Sequence, residues 1–189
     1  MPHAIFPWDL LDSSDDDDDV QRIILEYFAE NWSDISASLK RSVSSYDLDD
    51  ETKQTFYEAL DAHGHGMYRT SPRLLFPELE RAVRIKFNDG AFEKGHASQR
   101  QLRDWLREQP SGKVFSIDYA SWLLSRFLDD IYARVENEEE IARASSDTLP
   151  NRHAAVHGVV VYNTALTSLN TIVMTAFIFE LFEVFVANE

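Results

Sequence analysis

A chain of 189 residues that is 44% hydrophobic and 12% aromatic, with only six glycines and six prolines, can bury the core of one packed domain and is not a disordered or fibrous composition. With 33 acidic against 18 basic side chains the formal net charge is -15, so bulk electrostatics repel phosphate backbones and anionic membranes, and any polyanion contact must be local. The absence of cysteine excludes disulfides and thiolate metal sites, and the N-terminal stretch shows no basic region followed by an apolar run, so the expectation is a cytoplasmic protein.

Residues 1–19 read as a flexible acidic N-terminal segment and residues 20–189 as a single helical domain. The aspartates Asp15 to Asp19 lead into Val20, Ile23, Ile24, Tyr27, Phe28, Ile35, Leu39 and Val43, which is helical spacing. Acid at a helix start suits the macrodipole, so the run is a solvated beginning of a helix before it is a metal or basic-partner site. A second helix is predicted from about Asp50 to Ala62, stopped by the HGHG of His63 to Gly66. Those two histidines have no third ligand at a recognisable spacing and read as a helix end and turn.

Ser71-Pro72 and then Pro77 both look like helix starts, and FPELERAVRIKFNDG ends on Asn88, Asp89 and Gly90. Leu79, Val83 and Phe87 mark its buried face, while Glu80, Arg81 and Arg84 are expected to project elsewhere as surface charges. Ser98 with Gln101 forms a capping box for a short helix to Gln109, and PSGK at 110–113 is a turn. A long helix follows from about Ile117, with Tyr119, Trp122, Leu123, Phe127, Leu128, Ile131 and Val135 on its apolar face, before ENEEE (Glu136 to Glu140) leaves it solvated. SSDTLP then breaks the chain. The one strand candidate, Val159 to Tyr162, is continuous with helical periodicity and is read as helix.

The run Thr171 to Ala187 is apolar but carries Glu180 and Glu183 and falls short of about 20 apolar residues, so it predicts a buried helix and no membrane span. The fold class is therefore all-α, a bundle of about five or six helices with a long apolar C-terminal helix. No glycine-rich phosphate loop is present.

One segment suggests chemistry: NRHAAVHG, Asn151 to Gly158. His153 and His157 are four apart and share a helix face, but a zinc-hydrolase helix needs a glutamate after the first histidine, and Ala154 stands there. Arg152 and His157 suggest something else, because an arginine is a fixed cationic fork for phosphate and a histidine exchanges protons near neutral pH. Together they suffice for metal-free phosphodiester chemistry. A more ordinary explanation is also open: Asn151 capping the last helix, Arg152 pairing with an acid and His157 closing a turn.

This arginine, followed by a polar residue, three further residues and a His-Gly, with a turn before it, closely resembles the R-x4-to-6-H motif of the HEPN superfamily of small all-helical domains. His153 fits, since members often carry Asn, Asp or His after the arginine. The resemblance extends weakly to LFPELERAVR (Leu75 to Arg84) and to the apolar helix after the motif. It implies a metal-independent endoribonuclease without cofactor, in which the RNA 2'-hydroxyl attacks its own phosphate to leave a 2',3'-cyclic phosphate. Arg152 and His157 would be catalytic, with His153 orienting the phosphate or supplying a second proton-transfer group, and Asn151, Arg81 and Arg84 are the candidate RNA contacts. The family setting implies bacterial antiphage defence or a toxin-antitoxin system, with an antitoxin or defence-complex protein as partner. A non-catalytic HEPN-like binding or assembly module is the alternative. A homodimer is expected, both because a composite site needs two motif copies and because Leu166 to Val186 looks too apolar for one core face.

Overall fold

The computed structural model describes residues 17–88 and 130–186. Six helices occur there in the order α1 (Asp17–Ser44), α2 (Asp50–Gly64), α3 (Thr70–Asn88), α4 (Glu138–Ser146), α5 (Arg152–Val156) and α6 (Ala165–Val186), and the described residues contain no strand. The all-α expectation and the long apolar C-terminal helix are thus what the chain forms. The capping box at Ser98, the PSGK turn and most of the helix expected from Ile117 lie outside the described residues.

In α1 the buried side chains Phe28, Ile35, Leu39 and Val43 recur at steps of seven and four, forming one stripe along the helix. The helix begins at Asp17, so the last three residues of the segment expected to be flexible are helical, and Asp19 pairs with Arg22 at 2.9 Å one turn on. Asp49 caps α2 by accepting from the backbone N–H of Thr52. The α2 helix stops at Gly64 and not at Ala62. A Cβ at Gly64 would lie 2.7 Å from Nε1 of Trp32, so the glycine is what lets α2 end against the α1 indole.

Pro77 is not a helix start: α3 runs unbroken through it from Thr70. The missing N–H and the ring clash cost about 3 kcal/mol. Leu75, Phe76, Leu79, Ala82 and Val83 are buried on both sides of the proline, each large side chain contributing roughly 1.5–3 kcal/mol, so core packing outweighs the local penalty.

The α2, α3 and α6 helices pack on one another, α1 lies against α2 and α6, and the short α5 docks on α3. Thr164 and Thr167 cap the start of α6 reciprocally. Ala165–Glu183 is the one stretch among the described residues long and apolar enough to cross a membrane, with mean hydropathy 1.6, yet 78% of its 18-residue window is buried inside the fold. A single chain therefore covers this helix, and its apolarity gives no argument for a second copy. Its hydroxyls Thr171 and Thr175 donate to the carbonyls of Thr167 and Thr171, each at 2.8 Å, which satisfies them without breaking the helix. Glu183 accepts from the backbone N–H of Asp47 at 2.7 Å and so fastens α6 to the α1–α2 connection.

Two further expectations are corrected. The polar run after Val135 is exposed as expected but does not continue the preceding helix: that helix has ended before Arg134, and Asn137 caps the new helix α4 by accepting from Glu140 N. Val159 to Tyr162 is not helical, because Gly158 takes φ +69° and turns the chain, so that the N–H groups of Val159 and Val160 both donate to the carbonyl of Ala154.

Candidate active site

The NRHAAVHG segment is a capped single turn and a half, built so that its backbone has one way to go. Asn151 accepts from Ala154 N at 2.9 Å, and its amide nitrogen donates to the carbonyls of Asp130 and Ala133 at 2.6 and 2.9 Å. Its own N–H donates to the hydroxyl of Tyr162, which in turn donates to the carbonyl of Ala144. Three pieces of chain separated in sequence are thereby tied to the first residue of the motif.

Arg152, the first residue of α5, donates through Nε to Glu80 of α3 at 2.5 Å, with side chains only 16% and 15% exposed. Holding a guanidinium by Nε fixes the plane of the fork, and among the described residues no acceptor is bonded to its two Nη nitrogens. Tyr132 lies in the field of the same pair: burial, and then Glu80, push its phenol well above the usual range, while Arg152 opposes them.

The rings of His153 and His157 are 4.6 Å apart between centroids and inclined by 54°. His157 is the C-cap residue of α5 and is exposed. Nδ1 of His153 is buried without a hydrogen-bond partner among the described residues, and burial, then the neighbouring His157 and Arg152, hold its pKa below 6.5. Glu136 raises it and Arg134 lowers it, and these two are paired with each other at 3.3 Å, as Arg152 is with Glu80. The arrangement presents a fixed cationic fork, a neutral imidazole and an exposed imidazole on one helical turn.

The expected RNA contacts fare differently. Asn151 is 6% exposed and its amide is fully used by the fold, so it supports the motif and has nothing left for a ligand. It also caps α5 and not the last helix. Arg81 is consumed by a separate network: it donates to Asp49 at 2.6 Å and Glu78 at 2.8 Å, and to the hydroxyl of the buried Thr52. Burial pushes the Asp49 carboxyl up, but hydrogen bonds from Arg81 and Thr52 outweigh it and hold the group at about 2. Arg84 sits one turn after Glu80 on the same face of α3.

The histidines of HGHG are elsewhere. His63 bonds Ser168 at 2.8 Å and packs against Trp32 and Tyr68, while His65 bonds the carbonyl of Asp61. Among the described residues no three His, Asp or Glu side chains are grouped as a metal site. Glu80, read from sequence as a surface charge, is the residue most central to the site that the pattern missed. The signal available was only the requirement that a helix-borne arginine near a core find a carboxylate, which does not say which one.

Comparison with protein-family models, with curated proteins and with solved structures finds no match for this chain.

Proposed function

We propose that the chain is a metal-independent endoribonuclease of the HEPN kind, acting on RNA in the cytoplasm as part of bacterial antiphage defence or a toxin-antitoxin system. The observation that carries this reading is the short helix on which the exposed His157 lies against His153, with Arg152 held through Nε by Glu80. In the proposed reaction the 2'-oxygen bonds to the adjacent phosphorus and the bond to the 5'-oxygen breaks. One imidazole takes the 2'-hydroxyl proton and the other protonates the leaving 5'-oxygen, giving a 2',3'-cyclic phosphate and a 5'-hydroxyl. His153, kept neutral by its surroundings, suits the base, and His157, open to solvent, suits the acid. The Nη edge of Arg152 supports the charge on the pentavalent phosphorus. Two copies of the chain meeting at the exposed Val156 and Val159 that flank His157 would bring two motifs to one scissile phosphate.

The test is a gel of mixed RNAs incubated with the purified protein in EDTA. The wild type should cut and His157→Ala should lose about 10² to 10⁴ of the rate at an unchanged melting temperature, since the side chain is exposed. Arg152→Lys is a better partner variant than Arg152→Ala, because removing the guanidinium strands the half-buried Glu80 and lowers stability as well. RNA left intact by the wild type would sink the enzymatic reading.

The same apolar residues favour a second reading, a non-catalytic binding or assembly module. Val156 and Val159 are each 38% exposed beside the motif, the kind of surface that a partner protein such as an antitoxin would cover. Under that reading His157→Ala alters no RNA, and Val156→Asp abolishes capture of the partner.

A further inference from the structure

Six of the twelve lysines and arginines among the described residues are spent on carboxylates of the chain itself. Arg22, Lys40, Arg81, Lys86, Arg134 and Arg152 each face an aspartate or glutamate. Arg69 and Arg73 do not: both are exposed, and neither has an acidic partner among the described residues. Arg69 immediately precedes α3 and Arg73 lies in its first turn, four positions on, and both line a cleft together with Ala155 of α5 and Val160 and Val161 of the loop that follows the motif. Val161 is 54% exposed, while Ala155 and Val160 are buried.

The cleft and the motif are two sides of one short element. The α5 helix has five residues and a length of about 7.5 Å, so the cleft at Ala155 lies within one short element of Arg152 and His157. Two exposed arginines with the exposed Val161 nearby match a single strand of nucleic acid, whose phosphates need cations and whose sugars accept apolar contact. In an acidic protein, two adjacent exposed arginines without an acidic partner, beside the motif, are a place where a phosphate strand can be held.

We infer that the Arg69–Arg73 cleft is a backbone-phosphate subsite that holds the RNA strand beside the motif, in the role that sequence alone assigned to Arg81. The inference rests on the ribonuclease reading for the identity of the strand but is tested apart from cleavage. The probe is a fluorescein-labelled single-stranded RNA with 2'-O-methyl riboses, which lacks the attacking hydroxyl and survives any nuclease of this type. Its anisotropy is followed against the full chain at several salt concentrations. Arg69→Ala/Arg73→Ala should lower the steepness of log K against log salt by about 1.4, two contacts at about 0.7 each, which is roughly a 25-fold loss of affinity at 0.1 M salt. Arg41→Ala, an exposed arginine on α1 outside the cleft, should change neither quantity.

Both cleft arginines are exposed, so the double variant should melt with the wild type. An unchanged slope in the double variant overturns the subsite, as does a wild type with no salt-dependent binding of the probe. An oligoglutamate of equal charge displacing the probe equally well would also overturn it, by making the cleft a site for acidic peptide. A wild type that binds the probe through these arginines but cuts no unmodified RNA leaves the subsite standing and removes the enzyme.

Discussion

Replacing Asn151 separates its two conceivable roles, because the side chain that the motif offers as an RNA contact is fully engaged inside the protein. Asn151→Ala removes the cap of α5, worth about 1 kcal/mol. It also takes the donor away from the carbonyls of Asp130 and Ala133, each of which costs roughly 1 kcal/mol or more when buried without a partner. The losses share one site and will not add fully, so about 3 kcal/mol is expected, or a fall in Tm of about 6 to 12 °C for a chain of this length. Asn151→Asp is the sharper probe. It keeps the oxygen that accepts from Ala154 but turns an oxygen toward two carbonyl oxygens, so it should be no more stable than Asn151→Ala despite aspartate being a good cap. Urea unfolding followed by circular dichroism at 222 nm measures all three proteins. An Asn151→Ala variant within about 0.5 kcal/mol of wild type, or an Asn151→Asp variant at wild-type stability, would refute the support role. A drop in RNA affinity at unchanged stability would return the residue to the ligand.

Gly158→Ala should cost about 1–2 kcal/mol, because the φ of +69° is strained for any side chain even though a Cβ there meets open space, and Gly158→Asn should recover most of it in the same urea assay. Burial holds His63 at about 4, below the ordinary 6.5, so the native state prefers the neutral ring. Its contribution is complete above pH 6.5 and is lost as the pH falls toward 4, so His63→Gln should flatten the decline of Tm in that window, and parallel curves would show that the ring is not the titrating group. Asp49 has the opposite chemistry: held at about 2 by Arg81 and Thr52 against the effect of burial, it stabilises fully above pH 3.8 and loses that contribution as pH falls toward 2. Arg81→Met should therefore remove much of the acid sensitivity below pH 3.8 while lowering stability at neutral pH, measured by thermal melts across the range.

Periodicity made the long helices legible, since the stripes of Phe28 to Val43 and Leu75 to Val83 are set by burial, and burial is what apolar spacing records. It failed where a local rule met a stronger tertiary term. Pro77 reads as a start, yet the packing on both sides of it carries the helix through. Val159 to Tyr162 reads as helix because its residues are apolar, but one left-handed glycine before it redirects the backbone, and Tyr162 is buried as a hydrogen-bonding strut and not as part of a helical face. At the site, the capping of Asn151 and the pairing of Arg152 with an acid were legible as alternatives in the motif's own residue types. The partner Glu80 was not, because it lies 72 positions away and nothing in a single sequence records which distant carboxylate a helix brings close. Likewise Arg81 and Arg73 look alike in the sequence; only the fold shows that one is sealed by Asp49 and Glu78 and the other faces a cleft.

The position of α6 also governs when this protein can fold as it is made. Its side chains from Leu169 to Phe182 complete the core against which α1, α2 and α3 lie, but they are translated long after Asn88 closes α3. At about 5–20 residues per second, Phe56 waits on the order of 5 to 20 s for Phe179 of α6, on which its ring packs. During that interval the nascent chain presents three amphipathic helices with an open apolar face, which is the state that holdase chaperones bind and proteases cut. Messages or cleavage events that end the chain before Ala165 therefore yield a chain without the helix that completes this core.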